Sequence, residues 1–144
     1  MKAVVKTKRS KGMEYKEVSI PQIGPRDVLI KVKMASICGT DVHIYDWTRW
    51  AQHRFTPPRI VGHEFVGNVA KIGEEVTQVK VGDRVSAESH ITCGHCYQCN
   101  NGYSEVCRNF KLLGVDHDGT FAKFLVLPEH VLWKNDPKIP DEWA

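Results

Sequence analysis

The chain has 144 residues, and its 20 lysines and arginines against 17 aspartates and glutamates leave a formal net charge of +3. A charge this small and this evenly mixed gives no reason to expect nucleic acid as a partner. No segment approaches the ~20 consecutive apolar residues of a membrane span, and no apolar run follows the basic start as it would in a secretion signal. We therefore expect a cytoplasmic protein with no membrane contact and with one domain over residues 1–144.

The predicted elements are mostly short β-strands. Between Val28 and Met34, apolar residues alternate with lysines, which is the period-two pattern of a half-buried strand. In chain order, strands are predicted over residues 1–6, 28–34, 65–72, 84–87 and 121–127, with short helices over residues 40–45 and inside residues 93–107. Short strands joined by turns favour a mainly β fold, a partly closed barrel whose loops carry the chemistry.

A lone cysteine, Cys38, stands at the start of the first predicted helix. By itself such a thiol is more often a small buried hydrophobic group than a ligand. Further along the chain, however, His63 and Glu64 stand side by side, and cysteine, histidine and carboxylate are the ligand types of a catalytic zinc ion with one open position. We therefore predict a catalytic zinc site formed by these three residues. Thr40 and His43 are three positions apart and would share a helical face beside it.

Four cysteines fall within fifteen residues, in the spacing C-x2-C-x2-C-x7-C. A tetrahedral zinc ion takes four thiolates at about 2.3 Å, and closely spaced thiolates on a turning loop supply them. There are three alternatives. A disulfide-stapled loop needs an oxidising compartment, and an iron–sulfur cluster commonly has a different spacing before its last cysteine. A DNA-binding zinc finger would carry a stripe of basic residues. We predict a structural zinc site in a lobe over about residues 90–110, with the ligands Cys93, Cys96, Cys99 and Cys107.

Together these segments resemble the N-terminal catalytic domain of the zinc-dependent medium-chain alcohol dehydrogenases. The similar segments are CGTDVH at residues 38–43, GHEFVG at residues 62–67, VGDRV at residues 81–85 and the four-cysteine lobe. The resemblance implies a GroES-like, partly closed β-barrel with short helices, from which the lobe projects. It also implies one structural zinc ion and one catalytic zinc ion, the latter bound by Cys38 and His63, with Glu64 as a further ligand or just behind the ion.

The proton that leaves an alcohol during oxidation needs a path away from the reacting oxygen. Thr40 has a hydroxyl that both donates and accepts, and His43 has an imidazole whose ordinary pKa of about 6.5 suits release of the proton to solvent. In the family the relay runs from a hydroxyl residue through the coenzyme ribose to a histidine, and these two residues match those positions. We therefore predict Thr40 and His43 as catalytic residues.

A coenzyme site is missing from the sequence. The usual dinucleotide fingerprint, G-x-G-x-x-G between a strand and a helix, does not occur in it. The resemblance implies that a Rossmann domain follows the catalytic domain and binds most of the NAD, and that the full-length enzyme is a homotetramer. We therefore expect this chain to be a catalytic-domain fragment that is inactive by itself, with a catalytic zinc site that is partly or wholly empty.

Two further segments indicate the substrate. Residues 43–52 and 86–91 are similar to those of family members that oxidise L-threonine to 2-amino-3-oxobutanoate, so the expected substrate is this small amino alcohol. The alternative within the family is a polyol or a simple secondary alcohol. A third hypothesis is non-enzymatic, a zinc-stabilised β-barrel used for assembly in which the Cys38 site is vestigial.

Overall fold

Antiparallel β-sheets make up most of the fold in the computed structural model, which describes residues 1–144. The strands are β1 (Lys2–Lys6), β2 (Glu14–Glu17), β3 (Asp27–Ser36), β4 (Arg59–Ile60), β5 (Glu64–Ile72), β6 (Arg84–Ala87), β7 (His90–Ile91), β8 (Lys111–Leu112), β9 (Phe124–Pro128) and β10 (Leu132–Lys134). The helices are α1 (Gly39–Asp46), α2 (Arg49–Arg54) and α3 (Tyr97–Asn100), with 3-10 turns at Ser104–Val106, Glu129–Val131 and Asp141–Trp143. None of these helices has the length and apolar character needed to cross a lipid bilayer.

A five-stranded sheet in the order β10-β6-β5-β3-β9 forms the curled wall of the barrel. A second sheet has the order β2-β1-β4, and a two-stranded ribbon of β7 and β8 leads into and out of the cysteine lobe. Val4 of β1 donates its amide to the carbonyl of Phe121 at 2.8 Å, which joins the second sheet to the segment just before β9. The mainly β fold with a partly closed barrel confirms the predicted fold class.

The main hydrophobic core lies against β3 and β5. Val28 and Ile30 of β3 are fully buried, as their alternation with lysines predicted. The pairing of β3 with β5 shifts register between Val32 and Met34. Beyond this shift Ala35 packs against the core, whereas Met34 is 43% exposed. A bulge changes which residues face each side of a sheet, so the alternation stops short of Met34 and its predicted burial is wrong.

Four of the five predicted strands are confirmed to within two residues at each end, as β1, β3, β5 and β6. The fifth, β9, begins at Phe124 rather than Phe121, because Phe121 and Ala122 pair with β1 of the other sheet. The two predicted helices are confirmed as α1 and α3. Strands β2, β4, β7, β8 and β10 and helix α2 were not predicted, since segments of two to six residues are too short to show a period.

An ion pair joins the end of α2 to the loop after β8. Arg54 donates from both terminal guanidinium nitrogens to the two carboxylate oxygens of Asp116, at 2.6 and 2.5 Å. Asp116 also accepts the backbone amide of Leu112 at 2.9 Å. The hydrogen bonds from Arg54 hold the pKa of Asp116 below its usual range, against the opposing effect of partial burial. The sequence alone indicates a solvated carboxylate at this position, and that interpretation is wrong.

Replacing Arg54 with methionine is expected to lower the free energy of unfolding by about 1 kcal/mol at neutral pH, the upper end for partly exposed ion pairs. Because the pKa of Asp116 is lowered in the folded state, the stabilisation is present above the ordinary aspartate pKa of about 3.9 and is lost as the pH falls through the lowered value. Urea unfolding of the two proteins at a series of pH values checks this dependence.

The matched control for this prediction is Arg26→Met, which breaks the much more exposed pair of Arg26 and Glu75. Such a pair contributes little, so the control should unfold like the unsubstituted chain at every pH. A stability loss in Arg54→Met that stays constant from neutral pH into acid would contradict the assignment of the stabilisation to Asp116.

Candidate metal centres

The first centre begins at the N-terminal end of α1, which Cys38 precedes. The Cys38 amide donates to Asp41 Oδ2 at 2.9 Å, and the Asp41 amide donates to the Cys38 carbonyl at 3.0 Å. This reciprocal pair starts the helix as a capping box does. It also fixes Cys38 at the N-terminal end of the helix.

The other two candidate ligands come from the beginning of β5. Ser36 at the end of β3 pairs directly with Glu64, and its hydroxyl donates to Glu64 Oε2. Just before His63, Gly62 has a φ of +91°, and a Cβ at this position would lie 2.5 Å from two neighbouring side chains. Only glycine fits such a turn. The turn and the strand pairing together place His63 and Glu64 beside Cys38.

Ligand atoms of Cys38, His63 and Glu64 all lie within 4.8 Å of one another. His63 Nε2 lies 4.0 Å from Glu64 Oε1, while His63 Nδ1 lies 3.8 Å from Asp41 Oδ1. One imidazole nitrogen therefore faces the candidate ligands and the other faces a carboxylate. Metal-binding histidines usually have this arrangement, because the carboxylate fixes the tautomer and the orientation of the ring. The structure thus brings together the three residues predicted to share an ion.

Asp41 is only 3% exposed, and its Oδ1 has no hydrogen-bond partner. Burial raises the pKa of Asp41, while the Cys38 amide and His63 favour its charged form. A buried, unpartnered oxygen behind the imidazole fits a cation on the other side of the ring, because the cation makes the imidazole N–H a stronger donor. The sequence by itself predicts no role for Asp41. The available signal was its place three residues after Cys38, which is the capping-box spacing.

Both predicted catalytic residues lie on α1. The hydroxyl oxygen of Thr40 is 3.9 Å from the sulfur of Cys38, so this side chain borders the candidate ligands. His43 lies further along the helix and is exposed, with its ring 6.4 Å from that of Trp50. The helix therefore leads from the ligand cluster at Thr40 towards solvent at His43.

Four sulfur atoms meet in the lobe between β7 and β8. The sulfur of Cys96 lies 3.5 Å from that of Cys99 and 3.9 Å from that of Cys107, which lies 3.6 Å from that of Cys93. These separations match the edge, about 3.8 Å, of a tetrahedron with zinc–sulfur bonds of about 2.3 Å. None of the cysteines forms a disulfide. His95, which stands between two of them in sequence, directs Nδ1 to the Cys93 carbonyl at 2.7 Å.

The pKa values of two lobe thiols, Cys93 and Cys99, are shifted in opposite directions. Hydrogen bonds from the amide of His95 and the side chain of Asn109 lower the pKa of Cys93 to about 5. Burial and the neighbouring thiols Cys96 and Cys107 raise the pKa of Cys99 to about 11. Sulfur atoms this close resist carrying four negative charges by themselves, whereas a bound dication deprotonates its thiol ligands. The donor set therefore fits a zinc ion.

A partly closed β-barrel that carries a cysteine–histidine–carboxylate cluster and a separate four-cysteine lobe has the architecture of a catalytic domain of the alcohol dehydrogenase class. The family model described as the alcohol dehydrogenase GroES-like domain matches residues 24–141, and the chain belongs to this family. It is similar to the L-threonine 3-dehydrogenase of Caldanaerobacter subterraneus subsp. tengcongensis, with 56% identity over 142 residues. The match covers 99% of this chain and 41% of that enzyme, so the chain spans less than half of the relative's length.

Two solved structures share the fold. The alcohol dehydrogenase TADH from Thermus sp. ATN1 is 32% identical with a TM-score of 0.85, over 99% of this chain and 42% of that one. The short chain alcohol dehydrogenase (rspB) from E. coli CFT073, complexed with the cofactor NADH, is 36% identical with a TM-score of 0.87, over 99% of this chain and 40% of that one. The GroES-like fold that the sequence motifs predicted is confirmed.

Proposed function

We propose that the chain is the metal-binding catalytic part of a zinc-dependent, NAD-linked dehydrogenase that oxidises L-threonine to 2-amino-3-oxobutanoate. The observation that carries the proposal is the convergence of Cys38, His63 and Glu64 within 4.8 Å, with Thr40 at its border. This donor set suits a catalytic zinc ion with an open position for substrate. The substrate assignment is supported by the 56% identity to an L-threonine 3-dehydrogenase.

Two zinc ions belong to this proposal. Cys38, His63 and Glu64 would hold the catalytic ion, and the four lobe cysteines would hold the structural one. A zinc ion in the first site supplies Lewis-acid chemistry, which lowers the pKa of a substrate hydroxyl. With the ion bound, Asp41 Oδ1, which lies 3.8 Å from His63 Nδ1, would accept the imidazole N–H and leave Nε2 to the ion.

The chain's own residues then move the proton. Oxidation of a secondary alcohol removes a hydride from carbon and a proton from oxygen, and a bound NAD would supply the hydride acceptor. Thr40 accepts that proton as it donates its own, since a hydroxyl does both. His43 would carry the proton onward, because one imidazole nitrogen can accept a proton while the other releases one. Its exposure at the outer face of α1 gives the proton a route to solvent.

A Rossmann domain that accompanies this domain in the active enzyme and binds most of the NAD is part of the proposal. Every pair of strands in the present chain is antiparallel, which leaves no βαβ unit to hold a dinucleotide. The similar alcohol dehydrogenase complexed with NADH is matched over only 40% of its length, and this supports a coenzyme domain in the remainder. A cytoplasmic homotetramer is proposed on the family likeness.

The test is turnover by an enzyme that joins this chain to its coenzyme domain. NAD reduction, followed by absorbance, is expected to be faster with L-threonine than with sorbitol. Cys38→Ser should lower the rate about 10³-fold, because the lost Lewis acid contributes several kcal/mol to transition-state stabilisation. Zinc content should show that the lobe ion is retained. Faster turnover of sorbitol would indicate a polyol substrate instead of L-threonine. An undiminished rate in Cys38→Ser would show that the Cys38 site is vestigial.

A further inference from the structure

Lys6 is a fully buried lysine at the end of β1. Its side-chain nitrogen donates to the carbonyl oxygens of Ser10 at 2.5 Å, Gly12 at 3.0 Å and Tyr45 at 3.2 Å. Three acceptors match the three N–H groups of an ammonium. The indole ring of Trp47 lies 5.0 Å from the same nitrogen, within the range of a cation–π contact. These four groups, which we term the Lys6 cage, are therefore arranged to hold a positive charge.

The Lys6 cage closes the C-terminal end of α1. Tyr45 lies in the last turn of this helix, where the carbonyls lack intrahelical donors and carry partial negative charge. The amide of Gly12 also donates to the Tyr45 carbonyl, at 2.8 Å, so the loop between β1 and β2 meets the helix at the ammonium. Helix α1 has eight residues and buries only Asp41 and Ile44. A helix this short is not stable by itself, and it depends on such contacts at its ends.

We propose that Lys6 is a positioning residue for the Cys38 centre. Its ammonium holds the C-terminal end of α1, and the reciprocal pair of Cys38 and Asp41 holds the N-terminal end. Between these two attachments, the helix keeps Asp41 3.8 Å from the imidazole of His63. Loss of the ammonium would remove the donor that the Ser10, Gly12 and Tyr45 carbonyls share and leave the Tyr45 carbonyl with the Gly12 amide alone, which favours fraying of the helix end. The inference rests on the proposed function, since it assumes that Cys38 and His63 bind a metal ion.

The experiment compares Lys6→Met with Lys2→Met, the same substitution on the same strand at a lysine whose side chain is 56% exposed. Co²⁺ is titrated into each variant of the enzyme that joins this chain to its coenzyme domain, because cobalt bound by thiolate absorbs visible light, and Cys38→Ser identifies the signal of the Cys38 centre. Hydrogen exchange is measured at the α1 amides. Lys6→Met is expected to weaken Co²⁺ binding at the Cys38 centre about tenfold, as loss of a supporting group does. It should also speed exchange in α1 and leave the four-cysteine centre unchanged, while Lys2→Met alters neither.

Unchanged Co²⁺ affinity at the Cys38 centre of a folded Lys6→Met chain would overturn the proposal. Equal weakening of both centres would also overturn it, because a general loss of stability does not single out α1. An unsubstituted enzyme, with this chain joined to its coenzyme domain, that binds Co²⁺ in the lobe alone would instead overturn the proposed function, and the positioning role with it. If Lys6→Met fails to fold, nitrogen-15 spectra of the unsubstituted chain test instead whether the Lys6 ammonium is held in the cage. The Lys6 cage requires a slowly exchanging ammonium signal from Lys6, and rapid exchange would contradict it.

Discussion

Replacing Cys99 with serine is expected to reduce the zinc content of the chain by one ion and to unfold the lobe over residues 93–107. Within that segment only Cys107 is buried, while Tyr97, Tyr103 and Val106 are 73%, 60% and 62% exposed. Burial therefore does little to hold the lobe, so the proposed zinc ion would have to do so. Structural zinc supplies apparent energies of about 10–16 kcal/mol in zinc-finger peptides, which is ample to order one loop. Metal analysis with limited proteolysis measures both effects, and we expect cleavage of the lobe to become at least about tenfold faster.

Cys38→Ser is the matched control for the lobe variant, because it removes one thiol from the other centre. It should leave the lobe resistant to protease and its zinc ion in place. The barrel should stay folded in both variants, since its core lies around β3 and β5 and includes no lobe cysteine. A Cys99→Ser chain with full zinc content and an intact lobe would show that four thiolates are not needed there.

Asp41→Asn is expected to weaken metal binding at the Cys38 centre by about 10–100-fold, the usual cost of losing a supporting carboxylate. Asparagine keeps an oxygen that can accept the Cys38 amide, which Asp41 Oδ2 now accepts at 2.9 Å. The helix cap should therefore persist, and the change should remove only the charge behind His63. Co²⁺ titration with a competing chelator measures the affinity.

Asp27→Asn is the control for this second variant. Asp27 Oδ2 accepts the amide of Gly24, three residues earlier, at 2.9 Å, which is the same local hydrogen bond at a place away from the metal ligands. The control should bind Co²⁺ like the unsubstituted chain, and both variants should unfold at similar urea concentrations. Equal affinity in Asp41→Asn and Asp27→Asn would contradict a supporting role for Asp41.

Much of the candidate chemistry could be predicted because it depends on residue type and on short spacings. The lobe cysteines are near neighbours along the chain, so their spacing already limits them to one small loop. Cys38, His63 and Glu64 stood out because few other roles combine those side chains in a small domain. The strands were predictable only where they were long enough for alternation to be visible. Even in β3, the bulge before Met34 moved the inward-facing positions in a way that no period shows.

The sequence by itself determined the family, the barrel class and the two sets of candidate ligands. Only the tertiary structure decided which charged residues are buried or half-buried and what they contact. Lys6, Asp41 and Asp116 each look like solvated residues in the sequence, because charged side chains are rarely buried unless they are paired. Their partners include Tyr45, His63 and Arg54, which lie far away along the chain. Such pairs form only when the strands and helices have brought distant segments together, so no pattern within one segment can predict them.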